Sequence, residues 1–232
     1  MATFVLIPGA GGQAWYWHRV VPVLIARGHR AIAVELPAGD AEAGWAAYTD
    51  TAVSAAGAAG PDGSVIVVGQ SMGGFTAPLV AERLGAERIV LLNAMIPKPG
   101  ETGGQWWETV GQRAARVDND RREGRDPDAP FDEREMFFHD VPDDITEEAF
   151  AGDEPAQSDR PFAETWPLET WPDIPTSGIA GADDRIFPVD FQQRVARERL
   201  GIELAVVPGG HLVALSNPKA VVDVMLEQCG LS

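Results

Sequence analysis

Over 232 residues the chain is 45% hydrophobic, enough apolar material for a sizeable core and better suited to one domain with an insertion than to two independent ones. With 35 acidic residues against 18 basic, the formal net charge is −17; nucleic acid and anionic membranes are repelled over most of the surface, and the charge reads as a solubility device. Cys229 is the single cysteine, which rules out an internal disulfide and any cysteine metal cluster.

The first residues, Met1-Ala2-Thr3-Phe4, enter a strand with no basic leader and no long apolar run. No stretch has the length of a membrane span, so a cytoplasmic protein is the expectation. Thr3 to Ile7 reads as a strand ending at Pro8-Gly9-Ala10-Gly11-Gly12. Ala14 to Arg27 then has helical spacing up to Gly28, and Arg30 to Val34 is the next strand. Strand, helix, strand in that length implies a right-handed parallel crossover, the unit of an open α/β sheet. An Ala-rich segment from Ala41 to Ala59 predicts a helix packed close to the sheet, and Gly60-Pro61-Asp62-Gly63 predicts a turn.

The chain is organised around Val65-Ile66-Val67-Val68-Gly69-Gln70-Ser71-Met72-Gly73-Gly74, a β-branched run that breaks on G-x-S-x-G and leads into a helix. So tight a turn forces Ser71 into a strained backbone conformation, while Gly69 and Gly73 lack the Cβ atoms that would collide with the neighbouring strand and helix. The helix from Met72 to about Leu84 aims its unpaired amides at the same spot, where an oxygen acquiring negative charge is stabilised. Pro78 inside that helix predicts a kink. The bland reading is a Gly-rich turn that happens to carry a serine, but both flanks have the strand and helix the motif needs. The stretch resembles the nucleophile elbow of the α/β-hydrolase superfamily, and the resemblance implies an acid and a histidine further on, in that order.

After a strand at Arg88 to Leu92, residues 95–173 lose the strand–helix alternation and become rich in charge, proline and aromatics. This predicts an inserted cap between two core segments, 1–94 and 174–232. Among its aromatics Trp106, Trp107, Phe137 and Trp166 are the pocket candidates, with the cap's own core as the other use for such side chains. Regular order resumes with a strand at Ile174 to Ala180, a helix at Val189 to Leu200, a strand at Glu203 to Val207 and a last helix from Pro218, capped by Asn217.

The strand ending at Ala180 delivers Gly181-Ala182-Asp183-Asp184 to the edge where open α/β sheets collect catalytic groups. Serine chemistry needs a carboxylate to fix an imidazole tautomer and stabilise the imidazolium. The G-x-x-D spacing selects Asp184, leaving Asp183 as a turn residue. The preceding strand end, where some relatives carry the acid, has uncharged Asn93. His211, in Pro208-Gly209-Gly210-His211-Leu212, follows a strand at the same edge and is the candidate general base. His18, His29 and His139 are read as surface or core residues.

Val5 to Trp17, the elbow, Asp184 to Phe187 and Gly209 to His211 together resemble the branch holding plant methyl esterases and hydroxynitrile lyases. The resemblance implies oxyanion donation from the backbone amides of Ala10 and Met72 and an ester as small-molecule substrate, with no metal and no organic cofactor. Relatives usually have histidine where this chain has Pro8. The lyases carry a threonine in the first loop and a lysine after the histidine; Gly9 and Leu212 stand there, which favours ester hydrolysis over C–C cleavage. Two readings from other classes remain. Gly9 to Ala14 fits G-x-G-x-x-A with Glu35 about twenty residues on, a nicotinamide-cofactor fingerprint, though Trp15, Tyr16 and Trp17 would crowd a pyrophosphate. A non-catalytic binding protein on a hydrolase scaffold is the other.

Overall fold

The computed structural model describes residues 1–58, 63–152 and 156–231. Among the described residues six strands, β1 (Ala2–Ile7), β2 (Arg30–Ala33), β3 (Ser64–Gln70), β4 (Arg88–Leu92), β5 (Thr176–Gly181) and β6 (Ala205–Val207), form one sheet in the order β2-β1-β3-β4-β5-β6. Every pairing is parallel; Val5, for example, lies opposite Ile32 on one side and Val67 on the other.

The side-chain alternation of the strands divides the core into two layers. Val5, Ile7, Val67, Ile89 and Leu91 face the layer built by α2 (Trp45–Ala58), α3 (Gly73–Leu84) and α9 (Val189–Leu200). Phe4, Leu6, Ile66, Val68, Val90 and Leu92 face α1 (Val20–Ala26), α10 (Val213–Ser216) and α11 (Pro218–Gln228). A strand side chain covered in this way contributes roughly 1.5–3 kcal/mol, which is why the central strands read as unbroken apolar runs. Between β4 and β5 the described residues form the short helices α4 (Gly103–Thr109), α5 (Gln112–Arg122), α6 (Glu133–Phe137), α7 (Asp143–Phe150) and α8 (Arg160–Ala163).

The sheet sets the place of the site. From β1 the chain moves outward to β2, and from β3 it moves the other way to β4, so the loops leaving β1 and β3 diverge and open a crevice at their carboxyl ends.

Two helices differ from the sequence expectation. Ala14 to Arg27 is split into a 3-10 turn at Ala14–Trp17 and α1 from Val20. Pro22 is the reason: it donates no backbone hydrogen bond, and its ring would collide with the carbonyl of residue 18 in a continuous helix. The Ala-rich helix starts at Trp45 rather than Ala41, because Asp40 closes a local turn, accepting from the amides of Glu42 and Ala43. The Trp45 amide is then satisfied from far along the chain by Glu164 Oε2 at 3.0 Å. The predicted turn at Gly60-Pro61-Asp62 and the helix end at Ala59 lie outside the described residues. Helix α3 is continuous through Pro78 and stops on Gly85 at φ 59°. Among the described residues no helix is long and apolar enough to cross a membrane.

Candidate active site

β3 ends on Gln70, and Ser71 follows with φ 49°, a left-handed conformation that costs a non-glycine residue about 1–2 kcal/mol. Three backbone bonds hold it there: the Ser71 amide donates to Leu92 O at 3.2 Å, and its carbonyl accepts from Gly74 (3.0 Å) and Met95 (2.9 Å). The turn needs its glycines for space. A Cβ on Gly69 would lie 2.7 Å from both Ala77 Cβ and Gly73 O, and one on Gly73 would lie 2.7 Å from Pro8 O. Such contacts are unattainable without moving the strand, the helix or the first loop.

Ser71 Oγ is 3.0 Å from His211 Nε2, and His211 Nδ1 is 2.8 Å from Asp184 Oδ2. The carboxylate accepts only hydrogens, so Nδ1 is the protonated nitrogen and the Nε2 lone pair faces the serine hydroxyl. Asp184 and His211 are each 2% exposed. The carboxylate is fixed on its other side by the Ile186 and Phe187 amides, both 2.8 Å from Oδ1, and by Gln192 Nε2, 3.2 Å from Oδ2. The His211 ring is flanked edge-on by Phe187 and Phe137 at centroid distances of 5.0 and 5.4 Å. Asp183 is elsewhere. It is exposed and accepts from the Gly209 amide at 3.2 Å.

Asn93, uncharged at the strand end where some relatives carry the acid, has a structural use instead. In the structure it is fully buried, at φ 45°, and pins the histidine loop. Its Nδ2 donates to Gly210 O and His211 O at 3.0 Å each, and its Oδ1 accepts from the Gly181 amide at 2.7 Å. Asp140, which carried no motif signal, accepts from the Gly210 amide at 2.7 Å. The other histidines have structural partners: His18 Nδ1 lies 2.8 Å from Trp15 O, and His29 Nδ1 accepts from the Ala2 amide at 3.3 Å. His139 is partly buried, and burial together with nearby Arg185 holds its imidazole below the ordinary range.

Above Ser71 opens a cavity of about 600 Å³ lined by Ala10, Met72, Trp107, Phe137, Phe187 and His211, among others. Trp107 and Phe137 are on its wall. Trp106 and Trp166 are not: they are 0% and 1% exposed, with their indole N–H groups spent on Ile96 O (3.0 Å) and Phe75 O (2.9 Å). These two belong to the core cluster, and each indole is matched to a backbone acceptor there, a pairing that composition does not reveal. Tyr16 also lines the cavity, and burial pushes its phenol well above the ordinary range, so the hydroxyl stays protonated.

The loop at Gly9 lacks the helix that a cofactor fingerprint requires. The loop leads into a four-residue 3-10 turn in place of a helix, so there is no helix N-terminus to receive a pyrophosphate. Glu35, the acid meant for a ribose, accepts from the Ala14 amide at 2.6 Å. Among the described residues no group of His, Cys, Asp and Glu side chains could hold a metal ion.

A parallel sheet with a strained serine after β3, hydrogen-bonded to a histidine after β6 and through it to an aspartate after β5, defines an α/β-hydrolase scaffold. The chain belongs to the alpha/beta hydrolase family, whose model matches residues 4–224. Among curated proteins it is 36% identical over 107 residues to the probable esterase PIR7A of Oryza sativa subsp. indica, a match covering 42% of this chain and 41% of that protein. It is 25% identical over 251 residues to polyneuridine aldehyde esterase of Rauvolfia serpentina, covering 97% of this chain and 94% of the relative. A crystal structure of polyneuridine aldehyde esterase has the same fold, with a TM-score of 0.75 at 22% identity over 98% of each chain.

Proposed function

We propose that this chain is a serine carboxylesterase for small apolar or aromatic esters. The observation that carries the reading is the continuous hydrogen-bonded path from Ser71 Oγ to His211 to Asp184, at 3.0 and 2.8 Å, opening on an aromatic-walled cavity. Ser71 Oγ attacks the ester carbonyl carbon while His211 Nε2 takes its proton, and Asp184 stabilises the imidazolium. The carbonyl oxygen becomes an oxyanion held by the Ala10 and Met72 amides. Collapse of this intermediate breaks the ester C–O bond, and His211 returns the proton to the departing alcohol. Water, deprotonated by the same nitrogen, then attacks the acyl-enzyme, releases the acid and restores Ser71.

Residues 95–173 act as a cap over this site, with Trp107 and Phe137 contacting the substrate. The name of the Rauvolfia relative, an esterase, agrees with ester hydrolysis. Leu212 beside His211 and Gly9 in the first loop supply neither the cation nor the hydroxyl that departing cyanide requires, so cyanohydrin cleavage is disfavoured.

A fluorophosphonate probe is expected to label Ser71, with loss of hydrolysis of a panel of methyl, short-chain and aryl esters, and Ser71→Ala is expected to escape labelling. Full turnover by Ser71→Ala, or labelling at another residue, refutes the assignment.

A further inference from the structure

We infer that Gln157 is a positioning residue for the oxyanion hole, holding the first loop from the opposite side of the cavity; this rests on the esterase reading above. Gly9 to Gly12 form a tight turn closed by the Gly12 amide donating to Gly9 O at 3.2 Å, with Gly11, its third residue, at φ 82°. Positive φ at that position is the mark of a type II turn. The Gly9 carbonyl and the Ala10 N–H share one planar trans peptide and point in opposite directions, so closing the turn on Gly9 O fixes the direction of the Ala10 N–H. The geometry of the donor is therefore the geometry of the turn.

Three of the four turn residues are glycines. Glycine turns have many accessible conformations, and a turn that opens frees Gly9 O and with it the direction of the Ala10 N–H. The central peptide here is held by one side chain: Gln157 Oε1 accepts from the Gly11 amide at 3.0 Å, across 146 positions of sequence. The orientation of the Gln157 amide is itself determined. Its Nε2 donates to Ser158 O at 2.9 Å and lies 3.2 Å from Tyr48 Oη, which leaves Oε1 as the oxygen facing Gly11. Tyr48 is fully buried on α2, and the neighbouring Ser158 amide donates to Ala38 O at 2.8 Å, so Gln157 is anchored to α2 and to the segment between β2 and α2. Gln157 also lines the same cavity as Ala10 and Ser71. Its role is to restrict the glycine turn to the conformer that presents the Ala10 N–H, which is preorganisation of a transition-state donor.

The test compares wild type with Gln157→Leu, which keeps bulk and removes the acceptor, and Gln157→Glu, whose carboxylate still accepts from Gly11. With p-nitrophenyl acetate, Gln157→Leu is expected to lower kcat by about tenfold with KM within about twofold, a fraction of the effect of deleting a whole oxyanion donor. Affinity for a trifluoromethyl ketone, which mimics the tetrahedral oxyanion, is expected to fall by the same factor as kcat/KM, and Gln157→Glu is expected to recover most of both. Hydrogen exchange over residues 8–14, read without substrate, is expected to accelerate in Gln157→Leu alone. Wild-type kcat in Gln157→Leu, a loss confined to KM, equal losses in both variants or unchanged exchange would each overturn the inference. A wild type that turns over no ester would instead remove the esterase reading, while the exchange measurement would still decide whether Gln157 holds the loop.

Discussion

Asn93 supplies the sharpest test of how the site is held. Asn93→Ala removes the partner of two carbonyls, Gly210 O and His211 O, and of one amide, Gly181 N, all in a fully buried position. At about 1 kcal/mol net for each bond the loss is about 3 kcal/mol, and alanine tolerates the observed φ of 45° less well than asparagine, which adds to it. In urea unfolding the midpoint is expected to fall by roughly 1 M. Turnover is expected to drop about 100-fold, because releasing the carbonyl of His211 misplaces its ring relative to Ser71. Asn93→Asp keeps the volume but sets a carboxylate against those two carbonyl oxygens, so its folded pKa rises above the ordinary aspartate value. A group raised in this way binds more protons folded than unfolded, and its stability contribution is lost as pH rises above the unfolded pKa. Asn93→Asp should thus be closer to wild type at pH 5 than at pH 8. An Asn93→Ala variant within about 1 kcal/mol of wild type with full turnover, or an Asp variant that gains on wild type with rising pH, would show that this network does not position the histidine.

Asp184→Asn is expected to lower kcat by about a thousandfold or more through loss of the correct imidazole tautomer, whereas Asp183→Asn, on an exposed turn, should stay within about threefold; steady-state kinetics of both variants separate them. Trp106→Ala should cost about 3–5 kcal/mol in chemical denaturation, while Trp107→Ala should mainly change KM for aryl esters, because only Trp107 is on the cavity wall. Arg199 and Glu101 form a pair that is 4% and 7% exposed. Burial alone would raise the Glu101 carboxyl, but hydrogen bonds from Arg199 and Thr109 outweigh it and hold the group below the usual range. Its stabilisation is present above the unfolded carboxylate value and disappears as pH falls through the folded one. Arg199→Leu should therefore cost about 3–5 kcal/mol at pH 7 and less near pH 4, and adding Glu101→Leu should restore most of it; an equal cost at both pH values would contradict the pairing.

The strand–helix order and the loops after β3, β5 and β6 that carry Ser71, Asp184 and His211 were legible in the chain, because they depend on local signals: β-branched runs, glycines at a tight turn, turn residues after strands. Pro22 is a local signal for the start of α1 at Val20 that the helical spacing around it masks. Tertiary structure alone decided which aromatics face the cavity, since Trp106 and Trp107 are chain neighbours of one residue type, yet the first is buried with its indole on Ile96 O and the second lines the cavity. It likewise decided that Asn93 holds the histidine loop and that Gln157 reaches Gly11. Those bonds join residues more than a hundred positions apart. A buried backbone group must find a partner somewhere, but which side chain arrives is settled by packing and leaves no local trace in the chain.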